Sequence, residues 1–198
     1  AKPFQEPHPP IALAMVGPGG LTAQTIAERS FIPISANFVP IENLVAQWRD
    51  YSEARQNIGK PVDRDIWRVC RNILVTDSDS QAEDILSDPD GAFSYYYRYI
   101  RGVRQIEEFR DQQAEPIERL NQLLEVPQAL TDCVIAGTAA TVLDRLIAMT
   151  DTLGRFGTLV MVAHDWDDAA LWQSSMRKLA TDIMPELSRH ADQLPALD

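Results

Sequence analysis

Cysteine, lysine and long apolar runs are all scarce in this sequence, and each scarcity removes a class of function. Only two of the 198 residues are cysteine, Cys70 and Cys133, and they stand far apart with no metal-ligand spacing. Both sit in apolar segments, so they are expected as reduced, buried thiols of a cytoplasmic protein. Lysine occurs three times, and 18 basic residues face 29 acidic ones, for a net charge of −11. A duplex-binding surface needs clustered cations to neutralise phosphates. Here the basic residues are dispersed among acids, which excludes nucleic acid and an anionic membrane as partners. No stretch approaches the roughly 20 apolar residues that span a bilayer. The start, Ala1-Lys2-Pro3-Phe4, lacks an initiator Met, a basic n-region and an apolar h-region. No signal peptide is expected there, and the chain reads as beginning inside a longer one.

What is present is enough hydrophobic material, 45% of residues, to bury the core of one domain over 1–198. Lys2-Pro3-Phe4-Gln5-Glu6-Pro7-His8-Pro9-Pro10 is too proline-rich to be helical. Ile11-Ala12-Leu13-Ala14-Met15-Val16 then predicts a short strand buried on both faces, ending in the turn Gly17-Pro18-Gly19-Gly20. A helix is expected over 22–29 and a second apolar run over 31–35. Ile41, Leu44, Val45, Trp48 and Tyr51 recur at helical spacing until Gly59-Lys60-Pro61 stops them. The β-rich segment 66–75 reads as a third strand, and Thr76-Asp77-Ser78-Asp79-Ser80 as the cap of a helix from Gln81. Residues 81–132 are too long for an ordinary crossover and read as a helical insertion. Thr138 is a good N-cap for a helix bearing Val142, Leu143, Leu146, Ile147 and Met149. Residues 158–163 predict a fourth strand and 168–190 a final amphipathic helix. Short buried strands alternating with helices imply an α/β fold with parallel strands and right-handed crossovers.

A glycine-rich turn that feeds a helix presents free backbone N–H groups and the positive end of the helix dipole, which suits a phosphate. The competing reading of loop 17–22 is a tight βα turn with Thr22 in the first helical turn. Tyr95-Tyr96-Tyr97 and Tyr99 read as core on one face and rim on the other, with a substrate pocket as the alternative. Arg98, Arg101 and Arg104 read as a solvated face paired with Glu107, Glu108 and Asp111. Ser35-Ala36-Asn37 follows the second strand, where small residues leave room for a ring system. Asp165, Asp167 and Asp168 favour a helix cap over a metal site. No metal site and no nucleophile–base pair is expected.

Several segments resemble the luciferase-like flavin-dependent monooxygenases, in particular their limonene-monooxygenase-like branch. They are the opening Lys2 to Ile11, the stretch from Arg71 to Asp79 with Ala82 and Glu83, and Val134-Ile135-Ala136-Gly137-Thr138. Phe156-Gly157-Thr158-Leu159 with His164-Asp165-Trp166-Asp167-Asp168, and Asp182-Ile183-Met184-Pro185-Glu186-Leu187, complete the match. It covers the whole chain but only the second half of a (β/α)8 TIM barrel. The resemblance therefore implies the C-terminal half of such a barrel, four parallel strands with outer helices and a helical insertion at about 81–132.

By that resemblance the chain is a flavoprotein monooxygenase fragment that oxidises a small apolar organic substrate with O2. Reduced FMN would come from a separate flavin reductase. Gly17, Gly19, Gly20 and Thr22 are then the cofactor-binding residues, with Gly19 and Gly20 giving amides and Thr22 a hydroxyl to the FMN phosphate. Many relatives carry Ser in this loop where this chain has Gly, so one donor is missing. His164 lies past the last strand, at the catalytic end of such a barrel. It is the catalytic candidate, contacting flavin or substrate or moving a proton. Its alternative is a loop histidine capping a helix. An F420-dependent oxidoreductase on the same barrel and a catalytically inactive truncated fragment are the rival functions. Four strands alone would leave the apolar runs 11–16 and 158–163 as open edges, so a homo-oligomer is expected.

Overall fold

The computed structural model describes residues 2–17, 21–104, 126–164 and 168–194. Each short aliphatic run becomes a strand: β1 Ala12–Met15, β2 Ile32–Ser35, β3 Arg68–Val75, β4 Val134–Gly137 and β5 Thr158–Val162. All pairings are parallel. The geometry follows from the helices between strands, since a parallel neighbour can be reached only by a crossover. The helices among the described residues are α1 Leu21–Arg29, α2 Ile41–Asn57, α3 Asp79–Ser87, α4 Ala92–Arg104, α5 Val126–Cys133, α6 Ala139–Leu153, α7 Ala169–Lys178 and α8 Met184–Ala191. The expected caps form: Ser78 accepts from Gln81 N–H, Thr138 from Thr141 N–H and Asp168 from Leu171 N–H.

β3 organises the sheet. Arg68 and Val69 pair with both β2 and β5, and a residue has one partner per side, so those two strands flank β3. β4 pairs with Asn72 through Val75. At its C-terminal end, β3 is closed by side chain and backbone: Val75 N–H donates to Ser175 Oγ at 2.8 Å and Thr76 N–H to the Gly137 carbonyl at 2.8 Å. The strand's Val69, Ile73, Leu74 and Val75 are fully buried. Among the described residues β1 pairs only with β2, and its Ala12, Leu13 and Ala14 are exposed.

Three expectations need correction in detail. The sheet has five strands, not four, because Val134–Gly137 forms β4. It follows α5 with no intervening turn residues, so the sequence carries no break to announce it. The third strand starts at Arg68, because Asp63 accepts from Asp65 N–H and winds 64–66 into a 3₁₀ turn. The final helix is interrupted by a π-helical turn, Leu179–Ile183. Pro185 follows that turn and has no N–H to return to the preceding one, which breaks a regular ladder there. Within 81–132 the described residues form α3, α4 and α5, with a turn at 88–91 between the first two.

Gly157 marks the tightest passage in the fold. It donates to the Trp67 carbonyl at 3.1 Å, and a Cβ built on it would stand 1.7 Å from the Asp65 carbonyl oxygen. Relief requires moving the backbone of one turn or the other. Gly157→Ala should therefore destabilise the chain by about 3 kcal/mol or more, at the upper end for overpacking. Urea denaturation measures this; a midpoint equal to wild type would mean the two turns separate freely.

Candidate functional site

The C-terminal ends of β2 and β5 deliver two polar side chains to the middle of β3. Asn37 stands two residues beyond β2 and His164 two beyond β5, and both meet Asn72 of β3. Asn72 Oδ1 accepts from Asn37 Nδ2 at 2.8 Å and lies 2.5 Å from His164 Nε2. Asn72 Nδ2 reaches Tyr97 Oη at 2.6 Å, the Asn37 carbonyl at 3.3 Å and the Cys133 carbonyl at 3.5 Å. Tyr96 Oη donates to Asn37 Oδ1 at 3.2 Å.

Aromatic rings from the insertion fix the imidazole. Tyr96 stacks on His164 with centroids 3.9 Å apart and a 29° interplanar angle, and Phe93 meets it edge-on at 5.5 Å. Phe93 in turn packs against Trp172 of α7 at 6.1 Å. The tyrosine run divides as helical spacing requires: Tyr97 is fully buried and Tyr96 half-buried at the site, whereas Tyr95 and Tyr99 are exposed. A cavity of about 430 Å³ lies behind the Phe93–Trp172 wall, lined also by Leu74, Ile85 and Leu171. A larger one, about 790 Å³ between α3, α4, α5 and α6, shares no residue with the His164 cluster.

Burial keeps the cluster uncharged. It pushes His164 down to about 4, so the imidazole is neutral at physiological pH. It pushes Cys133 up to about 12 and raises Tyr96 and Tyr97, so thiol and phenols keep their protons. Arg71, next along β3, is the charged exception. It is buried, and its Nη1 donates to the carbonyls of Val39, Cys70 and Ala36 at 3.1, 3.3 and 3.4 Å. Its Nε and Nη2 have no hydrogen-bond partner among the described residues.

The residues anticipated for a phosphate are placed in part. Gly17 follows β1 with open space beside its Cα, and Thr22 is exposed in the first turn of α1. Gly19 and Gly20 lie outside the described residues, as do Asp165 and Asp167 and the acids expected to pair with the arginines of α4. The first turn of α1 holds no acidic side chain. The start of α6 is different, because Asp79 already fills it. Its Oδ1 accepts from Thr138 N–H at 2.8 Å and its Oδ2 from Thr141 Oγ1 at 3.1 Å, which holds the carboxyl below its usual range. Gly137, at φ +141°, permits this contact, since a Cβ there would stand 2.5 Å from Asp79 Oδ1. Among the described residues no three His, Cys, Asp or Glu side chains gather as metal ligands.

His164 and Asn37 were legible from the sequence, as residues just past strand ends. Asn72 was not, because a polar residue inside an apolar strand carries no local motif. Its one signal is being an uncapped amide in a run otherwise rich in β-formers.

No protein-family profile matches the chain. It is 25% identical over 192 residues to the 3,6-diketocamphane 1,6-monooxygenase of Pseudomonas putida, covering 93% of this chain and 49% of that protein. It is 26% identical over 159 residues to the 4-hydroxyprotoasukamycin monooxygenase of Streptomyces nodosus subsp. asukaensis, covering 79% of this chain and 40% of that one. Both relatives are named monooxygenases. The fold agrees: the oxygenating constituent of 3,6-diketocamphane monooxygenase, a type II Baeyer–Villiger monooxygenase solved with FMN, superposes with a TM-score of 0.68 at 24% identity, over 90% of this chain and 49% of that one. The Streptomyces bottropensis monooxygenase RslO1 superposes at 0.59 with 16% identity, over 92% of this chain and 50% of that one. The chain thus spans about half the length of the monooxygenases it matches.

The depressed His164 has a consequence for stability. The unfolded imidazole binds a proton near pH 6.5 and the folded one only near 4. The unfolded state therefore carries more protons between those values. Stability is full above about pH 6.5 and falls as pH drops toward 4. His164→Gln should flatten this slope in melting curves taken at pH 7, 5.5 and 4. Parallel curves for variant and wild type would place the imidazole in solvent.

Proposed function

We propose that the chain is the C-terminal half of a luciferase-like, FMN-dependent monooxygenase that oxidises a small apolar organic substrate with O2. The observation that carries the reading is the neutral, half-buried His164 held by the buried Asn72 and Asn37, in a chain whose homologues are named monooxygenases. A structure of an F420-dependent tetrahydromethanopterin reductase from Methanopyrus kandleri shares the fold at 13% identity and a TM-score of 0.51. That likeness extends to the fold alone, so FMN is the favoured cofactor.

The donor chemistry of loop 17–22 fits a phosphate. The first-turn N–H groups of α1 have no partner within their own helix. The Thr22 hydroxyl adds a donor, and no carboxylate in that turn opposes an anion. The start of α6 is filled by Asp79 whereas the first turn of α1 carries no acidic side chain, which supports the start of α1 as the anion site. Gly17, Gly19, Gly20 and Thr22 would hold the FMN phosphate there. Bound reduced flavin supplies the oxygen chemistry, its electrons coming from a separate flavin reductase. His164 would face the flavin ring or the substrate, held by Asn72 and Tyr96, while Phe93 and Trp172 exclude water behind it.

The exposed apolar β1 lacks a neighbour on one side, which supports self-association through that edge. Two free cysteines accord with a reducing, cytoplasmic setting. No described helix is long and apolar enough to cross a membrane.

Half a barrel is half a flavin cradle, so FMN should bind the isolated chain only in the high micromolar range or more weakly. Thr22→Val keeps the shape and removes the hydroxyl. It should weaken binding by about 1–2 kcal/mol, roughly 5- to 30-fold, read by quenching of flavin fluorescence. An unchanged affinity would return loop 17–22 to a plain βα turn. Light scattering should show a dimer or larger species; a stable 22.2 kDa monomer at micromolar concentration would contradict the open edge.

A further inference from the structure

We propose that Asn72 is a positioning residue that fixes His164 as its Nε2–H tautomer, so that a bound molecule meets a hydrogen-bond acceptor at Nδ1. The proposal rests on the reading that His164 faces flavin or substrate, and it adds what kind of group His164 can recognise there.

The argument starts from two backbone carbonyls. The oxygens of Asn37 and Cys133 can only accept, and both lie within hydrogen-bond distance of the same end of the Asn72 amide. That end must be the nitrogen. The opposite end, facing His164, is therefore the oxygen. Asn37 Nδ2 donates to this oxygen as well, which agrees with the assignment. An acceptor 2.5 Å from His164 Nε2 requires a proton on Nε2. In a neutral imidazole the other nitrogen then carries the lone pair.

The ring has little freedom to escape this. Tyr96 stacks on its face and Phe93 abuts its edge. A half-turn about Cβ–Cγ would keep the stacking but put a carbon where Nε2 stands, losing the bond to Asn72. Burial keeps the ring neutral, so the second nitrogen stays unprotonated. Among the described residues none hydrogen-bonds Nδ1. The complementary ligand group is consequently an N–H or O–H donor, and a carbonyl or an anion at that nitrogen would meet a lone pair.

The test is NMR of the full 198-residue chain labelled with ¹⁵N-histidine. It holds three histidines, His8, His164 and His190, so His164→Gln assigns the spectrum. At pH 7 the wild-type His164 ring should show a single tautomer, with Nε2 protonated and Nδ1 bare. Asn72→Leu should convert this to a mixture of tautomers, with the His8 and His190 signals unmoved as a control for folding. Asn37→Ala should keep the single tautomer, because the two carbonyls still orient the Asn72 amide.

A protonated Nδ1 in wild type, or a wild-type mixture, overturns the proposal. So does an Asn72→Leu protein that keeps the Nε2–H form with His8 and His190 unmoved. If Asn72→Leu does not fold, the wild-type spectrum and Asn37→Ala decide it, since a changed tautomer in Asn37→Ala places the control elsewhere. Flavin fluorescence on the same samples, with FMN as the probe, separates the two levels. A tightly bound, stoichiometric flavin would contradict the half-cradle reading while the tautomer result stands by itself.

Discussion

A single buried amide connects the parts of this molecule that bear on function. Asn72 lies in the middle of β3, and its two ends bond to the turn after β2, the end of α5, a tyrosine of α4 and the histidine after β5. Such a group is costly to bury unless nearly all its donors and acceptors are met, with about 1–3 kcal/mol lost for each left open. Once β3 is buried between flanking strands, four separate segments must converge on one side chain. The position of His164 follows from that requirement together with the strand register.

The same constraint explains what could be read from the sequence. Short aliphatic runs, the Ser78, Thr138 and Asp168 caps and the glycine turns give elements and their order, because each acts within a few residues. His164 and Asn37 were legible because they follow strand ends. Asn72 was hidden, since its partners lie 25 to 92 positions away and nothing local distinguishes it. β4 was hidden for the opposite reason: Val134–Gly137 follows a helix directly, and no turn residue separates them. The π-helical turn before Pro185 depends on how Leu179 and Ile183 both reach the core, which periodicity alone does not resolve.

A parallel sheet is stable when both edges and both faces are covered. Here the strand nearest the proposed phosphate loop is also the one with a bare edge. The start of α1, proposed to hold an anion, lies beside that edge, whereas Phe93 and Tyr96 of α4 pack on His164.

The claim that these two parts belong to one flavin site is open to a direct measurement. Backbone and imidazole resonances of ¹⁵N-labelled chain can be followed as FMN is added. The account predicts that shifts converge on Gly17 and Thr22 at one end and on Asn37 and His164 at the other. Shifts confined to the cavity between α3, α4, α5 and α6, at Leu86, Leu130 and Arg145, would contradict it.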